Sequence, residues 1–465
     1  MKQPMMKFVV NQVADGGGRL GTLSLVSRHG KDITMDTPTC LLYSKCGSVP
    51  NLSSDVASNI QRTPSMMQVT TPSVIPSQDV LEELGKGLAS FIGQPDVPIY
   101  LSVQDPLSPC PTGYNEKNVV SIWSTGGRVK LSPESYMSLV EACKPVIFEA
   151  LSDGDTPQGS STKRIRKSVD RTVDYLDTCI ELWQSSEKLK TAALLGVVQG
   201  GDMSSQRKWC AKEIAKRPVS GFMLDGFHEG AMETTARWSL LKEVVGELPD
   251  TKLRMLPRAG RPDDVLKAVE RGVDVFDSSF PLEVTNRGCA LVFKFEQSRT
   301  VPEEQEESVD SNKLPHSSNK DQKPAQPITQ PETDEVKDTS SQAECKNIEV
   351  KGDSSIGKTG SQSECKNVEA KGDSSNNDMT VYEVNLKESR FFDDFRPVLP
   401  SCSCYCCQNH TRAYINHLLN TKELLAHVLL TIHNLHHYFR FFEAIRESIA
   451  KGTFEHLVKL VTEER

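Results

Sequence analysis

The sequence lacks any apolar run of about 18 residues or more, the length that a helix needs to cross a bilayer. No apolar segment follows Lys2 and Lys7, and the first residues are not rich in arginine and serine. These absences predict a chain with no membrane span, secretion signal or clear organelle transit peptide. We therefore expect a reducing compartment, in which the thirteen cysteines favour metal binding over disulfide bonds.

Residues 301–378 lack every aromatic residue and arginine, and they are rich in polar residues and proline. Their 17 acidic residues and 9 lysines give a net charge of −8, which equals the net charge of the whole chain. Such a segment buries too little apolar surface to offset the entropy lost on ordering, so we predict a disordered acidic insert. Within it, residues 341–355 recur as residues 361–375, a 20-residue duplication.

The charge on the remainder of the chain is balanced, because residues 301–378 account for the entire net charge. A uniformly basic protein that coats RNA is therefore excluded, whereas a local basic patch that binds RNA is not.

Short apolar runs alternate with amphipathic stretches before the insert, a pattern typical of βαβ units and a parallel sheet. Predicted strands cover 193–199, 221–227, 253–257 and 273–279, and predicted helices cover 203–216, 230–247 and 262–271. Helical patterns also follow the insert at about 411–429, 432–450 and 453–462. Glycines and polar residues cluster at the strand ends, which is where parallel α/β folds bind their ligands.

Four cysteines lie within six residues of each other after the insert. Cys402, Cys404 and Cys407 form a C-x-C-x2-C pattern, and thiolates this close in sequence can converge on one tetrahedral Zn²⁺. Four protein ligands would leave no open position, so the pattern predicts a structural metal site.

The fourth ligand is expected from the helical stretch TIHNLHHY. Its histidines share one helix face because their spacings are three and four residues, so spacing alone does not choose among them. The adjacent Cys406 is a further alternative. The candidates from the helix are His433, His436 and His437.

Several motifs taken in order resemble the tRNA-guanine transglycosylases. The cysteine pattern is followed by R-A-Y, H-L-L and H-N-L at 412–414, 417–419 and 433–435, as in the zinc subdomain of that family. GVVQGG at 196–201 and the glycine-rich strand end at 221–230 also match, and the resemblance covers almost the whole chain outside 301–378. Two further matches lie at 254–262 and 271–281.

The resemblance implies a (β/α)8 TIM barrel with an inserted zinc-binding subdomain and C-terminal helices. It divides the chain into a barrel with an N-terminal β-rich part at 1–300, the disordered insert at 301–378, and the zinc subdomain with its helices at 379–465. It also implies one structural Zn²⁺ per subunit and makes His433 the fourth ligand.

The family exchanges guanine at the anticodon wobble position for a 7-deazaguanine base, with an aspartate that attacks C1′ and a second carboxylate that moves the proton. The resemblance assigns the nucleophile position to Asp277, and it makes Gln199, Gly200 and Gly226 remnants of the base pocket. The family's D-S-G-G-F-Q motif, which supplies the second carboxylate, is absent. Asp105 lies near the matching strand at 98–106 but lacks the glycines of that motif.

Further departures surround the same pocket. Arg258 and Asp225 stand where the family has glycines, while Glu283 and Asn286 replace two arginines that clamp phosphates. The purine-reading aspartate of the family is best matched by Asp153. Together these changes indicate a pocket released from catalysis, so we expect no catalytic residue here and regard Asp277 as a vestigial nucleophile.

The resemblance therefore points to the non-catalytic members of the family. It implies a heterodimer with a catalytic subunit, tRNA as a partner, a cytoplasmic location and a peripheral association with the mitochondrial outer membrane. Two alternatives stay open: a self-sufficient homodimeric transglycosylase that uses Asp277, and a zinc-stabilised scaffold that binds neither tRNA nor a transglycosylase.

Overall fold

The computed structural model describes residues 6–26, 30–108, 110–228, 230–296 and 382–462. The predicted disorder and duplication at 301–378 lie outside these ranges and stay predictions, as do the predicted domain boundaries.

Eight parallel strands close into a barrel, which confirms the predicted (β/α)8 fold. They follow one another around the barrel in chain order, and β13 closes the ring by pairing with β4. The strands are β1 (Met6–Val13), β2 (Arg19–Val26), β3 (Asp32–Thr37), β4 (Thr39–Ser44), β5 (Met67–Thr70), β6 (Ile99–Ser102), β7 (Val120–Ser124), β8 (Gly127–Leu131), β9 (Ile147–Glu149), β10 (Ala193–Val198), β11 (Gly221–Leu224), β12 (Leu253–Leu256), β13 (Val275–Asp277), β14 (Cys289–Leu291) and β15 (Glu383–Asn385). The barrel uses β4–β6 and β9–β13, whereas β7–β8 and β14–β15 form separate antiparallel pairs.

Helices surround the barrel and continue beyond it. They are α1 (Ser54–Ser58), α2 (Thr71–Val74), α3 (Gln78–Leu84), α4 (Leu88–Phe91), α5 (Pro133–Cys143), α6 (Thr162–Ser185), α7 (Ser204–Ala215), α8 (Thr234–Val245), α9 (Pro262–Glu270), α10 (Ser279–Asn286), α11 (Tyr405–Asn409), α12 (Arg412–Asn420), α13 (Leu424–Ala450) and α14 (Phe454–Thr462). None of the helices in the described ranges is long and apolar enough to cross a membrane.

The break between the first two helices after the insert lies earlier than predicted. The prediction placed it at 430–431, but α12 ends at Asn420 and α13 runs without interruption from Leu424. The chain turns at Lys422, whose φ of 59° is left-handed, and the amide of Glu423 donates to the carbonyl of Leu418 at 2.9 Å. Leu430 and Thr431 are buried inside α13, and neither is a residue type that ends a helix.

The N-terminal sheet β1–β3 packs against one end of the barrel interior. Leu23, Leu25 and Met35 belong to the same buried cluster as the barrel residues Leu195 and Met255. Because this end of the barrel is filled, the open end lies where the parallel strands have their carboxyl termini.

The long helix α13 connects the C-terminal part to the barrel. Phe442 of α13 contacts Phe276 of β13, with ring centres 5.5 Å apart, and Tyr438 contacts Phe280 of α10 at 6.3 Å. The amide group of Asn434 donates to the hydroxyl of Thr285 at 2.9 Å. These contacts fix the histidine-bearing stretch of α13 against β13 and against α10, the helix that directly follows β13.

Candidate metal centre and barrel pocket

Three cysteines and one histidine converge in the C-terminal part, and their ligand atoms lie within 4.8 Å of one another. The Nδ1 atom of His433 is 3.7 Å from the sulfur of Cys402, 3.6 Å from that of Cys404 and 3.3 Å from that of Cys407. Zn²⁺ bonds of about 2.3 Å to sulfur and about 2.0–2.1 Å to nitrogen, at a tetrahedral angle, place such atoms about 3.6 Å apart. The donor set and its spacing therefore fit a tetrahedral metal ion.

The surrounding contacts orient the histidine. The Nε2 atom of His433 lies 2.8 Å from the carbonyl oxygen of Leu291, so Nε2 carries the proton and Nδ1 faces the sulfurs. Such a bond from the outer ring nitrogen is typical of metal-ligating histidines. Leu291 is the last residue of β14, so the separate antiparallel pair β14–β15 holds the histidine ligand in place.

The other candidates for the fourth ligand lie outside this group of ligand atoms. Nε2 of His437 lies 3.0 Å from the carbonyl oxygen of Phe293, and burial lowers the pKa of His437 to about 3. Cys406 is fully buried, and burial raises the pKa of its thiol. In the described ranges neither Cys406, His436 nor His437 belongs to the group that could hold a metal.

A cavity of about 340 Å³ opens at the carboxyl ends of the barrel strands. Its wall collects side chains from most of the strand ends, which is the expected position of a ligand site in this fold. The polar lining includes Gln68, Tyr100, Asp105, Glu149, Gln199, Asp225, His228 and Arg258.

Gln199 is already bonded to a neighbouring side chain. Its Nε2 atom donates to the carboxylate of Asp225 at 2.7 Å and to the hydroxyl of Ser152 at 3.3 Å. The carboxylate of Asp225 also accepts the amide of Gly226 at 2.7 Å. The Asp225 carboxylate therefore engages the amide group of Gln199 within the protein.

Gly200 and Gly226 are explained by the packing of one buried arginine. Both have left-handed φ values, 143° and 73°, and a Cβ atom at either position would lie 2.7 Å from Arg207. The guanidinium of Arg207 donates to the carbonyls of Gly201 at 2.7 Å and Asp225 at 2.6 Å. Burial lowers the pKa of Arg207 to about 10. These glycines are required for this packing whether or not a base binds.

Asp277 lies at the end of β13, and both of its carboxylate oxygens are engaged. Oδ2 accepts the amide of Arg258 at 2.6 Å, and Oδ1 accepts the amide of Ser279 at 2.9 Å together with the Ser279 hydroxyl. The side chain is buried, and it is not among the described residues that line the cavity. The carboxylate thus joins the β12–α9 loop to the start of α10.

The two other aspartates singled out from the sequence differ in position. Asp105 lines the cavity, but its carboxylate accepts the Tyr43 hydroxyl at 2.8 Å. Asp153 is fully buried below the cavity wall, and its carboxylate is paired with Arg164 at 2.6 Å and Arg171 at 2.9 Å. Although burial alone raises it, the bonds from Arg164 and its neighbours hold the pKa of Asp153 below its ordinary value.

The matching family model is that of queuine tRNA-ribosyltransferase, and it covers residues 15–465. The chain is 43% identical to queuine tRNA-ribosyltransferase accessory subunit 2 of Xenopus tropicalis over 99% of this chain and all of that protein. It is 41% identical to the protein of the same name from Homo sapiens, over 98% and 99% of the two chains. The corresponding protein of Danio rerio is 39% identical over 99% of both chains.

The chain belongs to the queuine tRNA-ribosyltransferase family. The resemblance drawn from the zinc-subdomain motifs and the glycine-rich strand ends is therefore confirmed. The four residues that the sequence analysis singled out as departures lie at these places: Glu283 and Asn286 on α10, Arg258 in the β12–α9 loop and Asp225 after β11. The last two line the cavity.

One cavity residue was missed by the sequence analysis. Glu149, the last residue of β9, is buried, and its carboxylate accepts the Tyr100 hydroxyl at 2.8 Å and the amide of Val103 at 2.5 Å. Burial raises the pKa of Glu149 to about 7. The one available signal was a charged residue at the end of the otherwise apolar run VIF, because an acid there must face the barrel mouth or be bonded internally.

We predict that Glu149 destabilises the fold as it loses its proton. The pKa of Glu149 is about 7 in the folded state against an ordinary value of 4.5. The stabilising contribution of the protonated side chain to folding is therefore lost as the pH rises through the folded pKa. Between about pH 5.5 and 7.5 the wild type should lose about 2 kcal/mol of unfolding free energy that Glu149→Gln does not lose. Urea unfolding of both proteins across this interval measures the difference, and parallel pH profiles would contradict the assignment.

Proposed function

We propose that this chain is the non-catalytic subunit of a heterodimeric queuine tRNA-ribosyltransferase. The complex would exchange guanine for queuine at the wobble position of tRNAs with GUN anticodons, which decode aspartate, asparagine, histidine and tyrosine codons. In this proposal the chain contributes dimer formation and tRNA binding, and the partner contributes the chemistry. The names of the relatives support the assignment of an accessory role.

The observation that carries the proposal is the state of the Asp277 carboxylate. A nucleophile must present a free oxygen to C1′ of the ribose, whereas the oxygens of Asp277 accept bonds from Arg258 and Ser279 within the protein. A carboxylate held in this way acts as a structural acceptor. To attack a sugar, the carboxylate would first have to release the bonds that hold the β12–α9 loop and the start of α10.

The candidate for the second carboxylate is also bonded within the protein. A general acid or base must reach the proton that it transfers, and Asp105 is instead bonded to the Tyr43 hydroxyl. Loss of a general acid or base typically lowers a rate by about 10²–10⁴-fold. Two carboxylates bonded within the protein in this way favour the accessory role over a self-sufficient enzyme.

The metal proposed for the centre is Zn²⁺, one ion per subunit, with a structural role. Three thiolates and one imidazole fill a tetrahedral shell and leave no position for a substrate or water. The ion would hold α11 against α13 and β14, from which His433 and its partner Leu291 come.

The same part of the chain offers a surface for a protein partner. Six of the thirteen large apolar side chains that are exposed in the described ranges fall between residues 392 and 425. Apolar residues concentrated in this way are typical of an interaction site. They are Phe392, Phe395, Tyr405, Tyr414, Leu424 and Leu425. We place the heterodimer contact here, and we propose a cytoplasmic complex that associates peripherally with the mitochondrial outer membrane.

We predict that Cys404→Ser removes both metal and solubility, because metal bonds replace a large hydrophobic core in a small subdomain. Cys406→Ala is the matched control, since Cys406 is an adjacent buried cysteine outside the ligand group, and it should keep one zinc per chain. Elemental analysis of the purified proteins measures the zinc content of each variant, and the yield of soluble protein measures its solubility. Stoichiometric zinc in a His433→Ala protein would contradict the ligand assignment and move it to His436, His437 or Cys406.

We predict that Asp277→Asn leaves the turnover of the heterodimer unchanged. Asparagine keeps the shape of the side chain and one oxygen acceptor for Ser279, but it loses the bond to the Arg258 amide and cannot act as a carboxylate nucleophile. The matched control is the same substitution of the nucleophilic aspartate in the partner, which should abolish exchange. Guanine exchange into tRNA is measured after gel filtration has shown that each complex is assembled. If Asp277→Asn silences an assembled complex, this pocket is catalytic and the accessory role is wrong.

A further inference from the structure

Both backbone polar groups of Leu291 are bonded to consecutive residues of the long helix α13. The Leu291 amide donates to Oδ1 of Asn434 at 2.8 Å, and Nε2 of His433 lies 2.8 Å from the Leu291 carbonyl oxygen. All three residues are fully buried, so water does not compete for these bonds. The metal ligand His433 and its neighbour in sequence therefore hold the same residue of β14.

The side-chain amide of Asn434 is paired on both sides. Because the Leu291 amide is a donor, the atom that faces it must be the oxygen of Asn434, and the nitrogen then faces two acceptors. Nδ2 donates to the carbonyl of Cys289 at 3.1 Å and to the hydroxyl of Thr285 at 2.9 Å. Asn434 thus bonds the first and the last residue of β14 and joins both to α10.

β14 receives little support from its own sheet. In the described ranges it pairs with β15 alone, and each of the two strands has three residues. A two-stranded pair of this size is marginally stable by itself. The position of the Leu291 carbonyl therefore depends on the bonds that reach β14 from α13, and those of Asn434 act on both ends of the strand.

Asparagine is an unfavourable residue for the interior of this helix. Asn434 lies well inside α13, which runs from Leu424 to Ala450, and it is fully buried. Asparagine forms helices less readily than leucine, and a buried amide is costly unless it is bonded. A side chain that is unfavourable for its own helix and fully bonded to a neighbouring strand is best explained by what it positions.

We propose that Asn434 is a positioning residue of the metal centre. It holds the Leu291 carbonyl opposite Nε2 of His433, which keeps the proton on Nε2 and turns Nδ1 towards the three sulfurs. Metal-ligating histidines depend on such an outer partner, and loss of the partner typically weakens metal binding by about 10–100-fold. This role rests on the proposed zinc centre and is independent of the accessory role.

Asn434→Leu and Asn416→Leu form a matched pair of variants. Leucine has the same number and branching of side-chain heavy atoms as asparagine but makes no hydrogen bonds. Asn416 of α12 is also buried, and its Nδ2 atom donates to the carbonyls of Leu386 at 2.8 Å and Glu388 at 3.0 Å, away from β14. In competition with a chelator, the full chain with Asn434→Leu should bind Zn²⁺ about 10–100-fold more weakly than the wild type, whereas Asn416→Leu should bind it as the wild type does.

Loading the same proteins with cobalt(II) separates positioning from a loss of stability. The visible absorption of the bound cobalt reports the ligands and the geometry around the ion, and thermal unfolding reports stability. Positioning predicts an altered spectrum in Asn434→Leu alone, although both variants lose stability. A wild-type zinc affinity and spectrum in Asn434→Leu, or equal changes in Asn416→Leu, would overturn this role for Asn434. A wild type that binds no zinc would overturn the metal centre and this role together.

Thr285→Val and Thr285→Ser test the same connection in proteins that keep Asn434. The Thr285 hydroxyl accepts from Nδ2 of Asn434 and donates to the carbonyl of Pro281, both at 2.9 Å. Valine keeps the branched shape and removes the acceptor, whereas serine keeps the hydroxyl. Zinc binding should therefore weaken in Thr285→Val and stay near the wild-type value in Thr285→Ser. Equal zinc affinities in these two variants would contradict the positioning role even if Asn434→Leu does not fold.

Discussion

The buried carboxylate of Asp277 is the contact on which the pocket and the C-terminal part both depend. It fixes the amide of Arg258 on one side and the first residue of α10 on the other. From α10 the connection continues through Thr285 to Asn434 on α13, next to the metal ligand His433. Asp277 thus links the β12–α9 loop at the barrel mouth, through α10, to the helix that carries the metal ligand.

Polar groups elsewhere at the barrel mouth are also bonded to each other within the protein. Asp225 takes up the amide of Gln199, and the glycines at 200 and 226 give room to Arg207. Buried polar groups are costly unless they are paired, so these internal bonds stabilise the pocket. Among the described residues that line the cavity, Oε1 of Gln68 and Nδ1 of His228 are the buried side-chain atoms without a hydrogen-bond partner.

Much of the fold could be predicted because its signals are local. The strand–helix alternation indicated the parallel sheet, and the cysteine spacing with TIHNLHHY indicated a metal site, although the choice of His433 came only from the family resemblance. The pairing of Gln199 with Asp225 joins residues far apart in sequence, so no local pattern could predict it. The apolar run before Glu149 indicated only that this acid must face the barrel mouth or be bonded internally. The helix boundary near Lys422 was misplaced because a left-handed turn at a lysine has no compositional signal.

The most direct test of the account is guanine exchange by the zinc-loaded chain alone, compared with its 1:1 complex with a catalytic paralogue. Both are supplied with the same tRNA and labelled base. Because Asp277 and Asp105 are bonded internally, the account predicts no exchange by the isolated chain and full exchange by the complex. Turnover by the isolated chain at a rate comparable to that of the complex would contradict it.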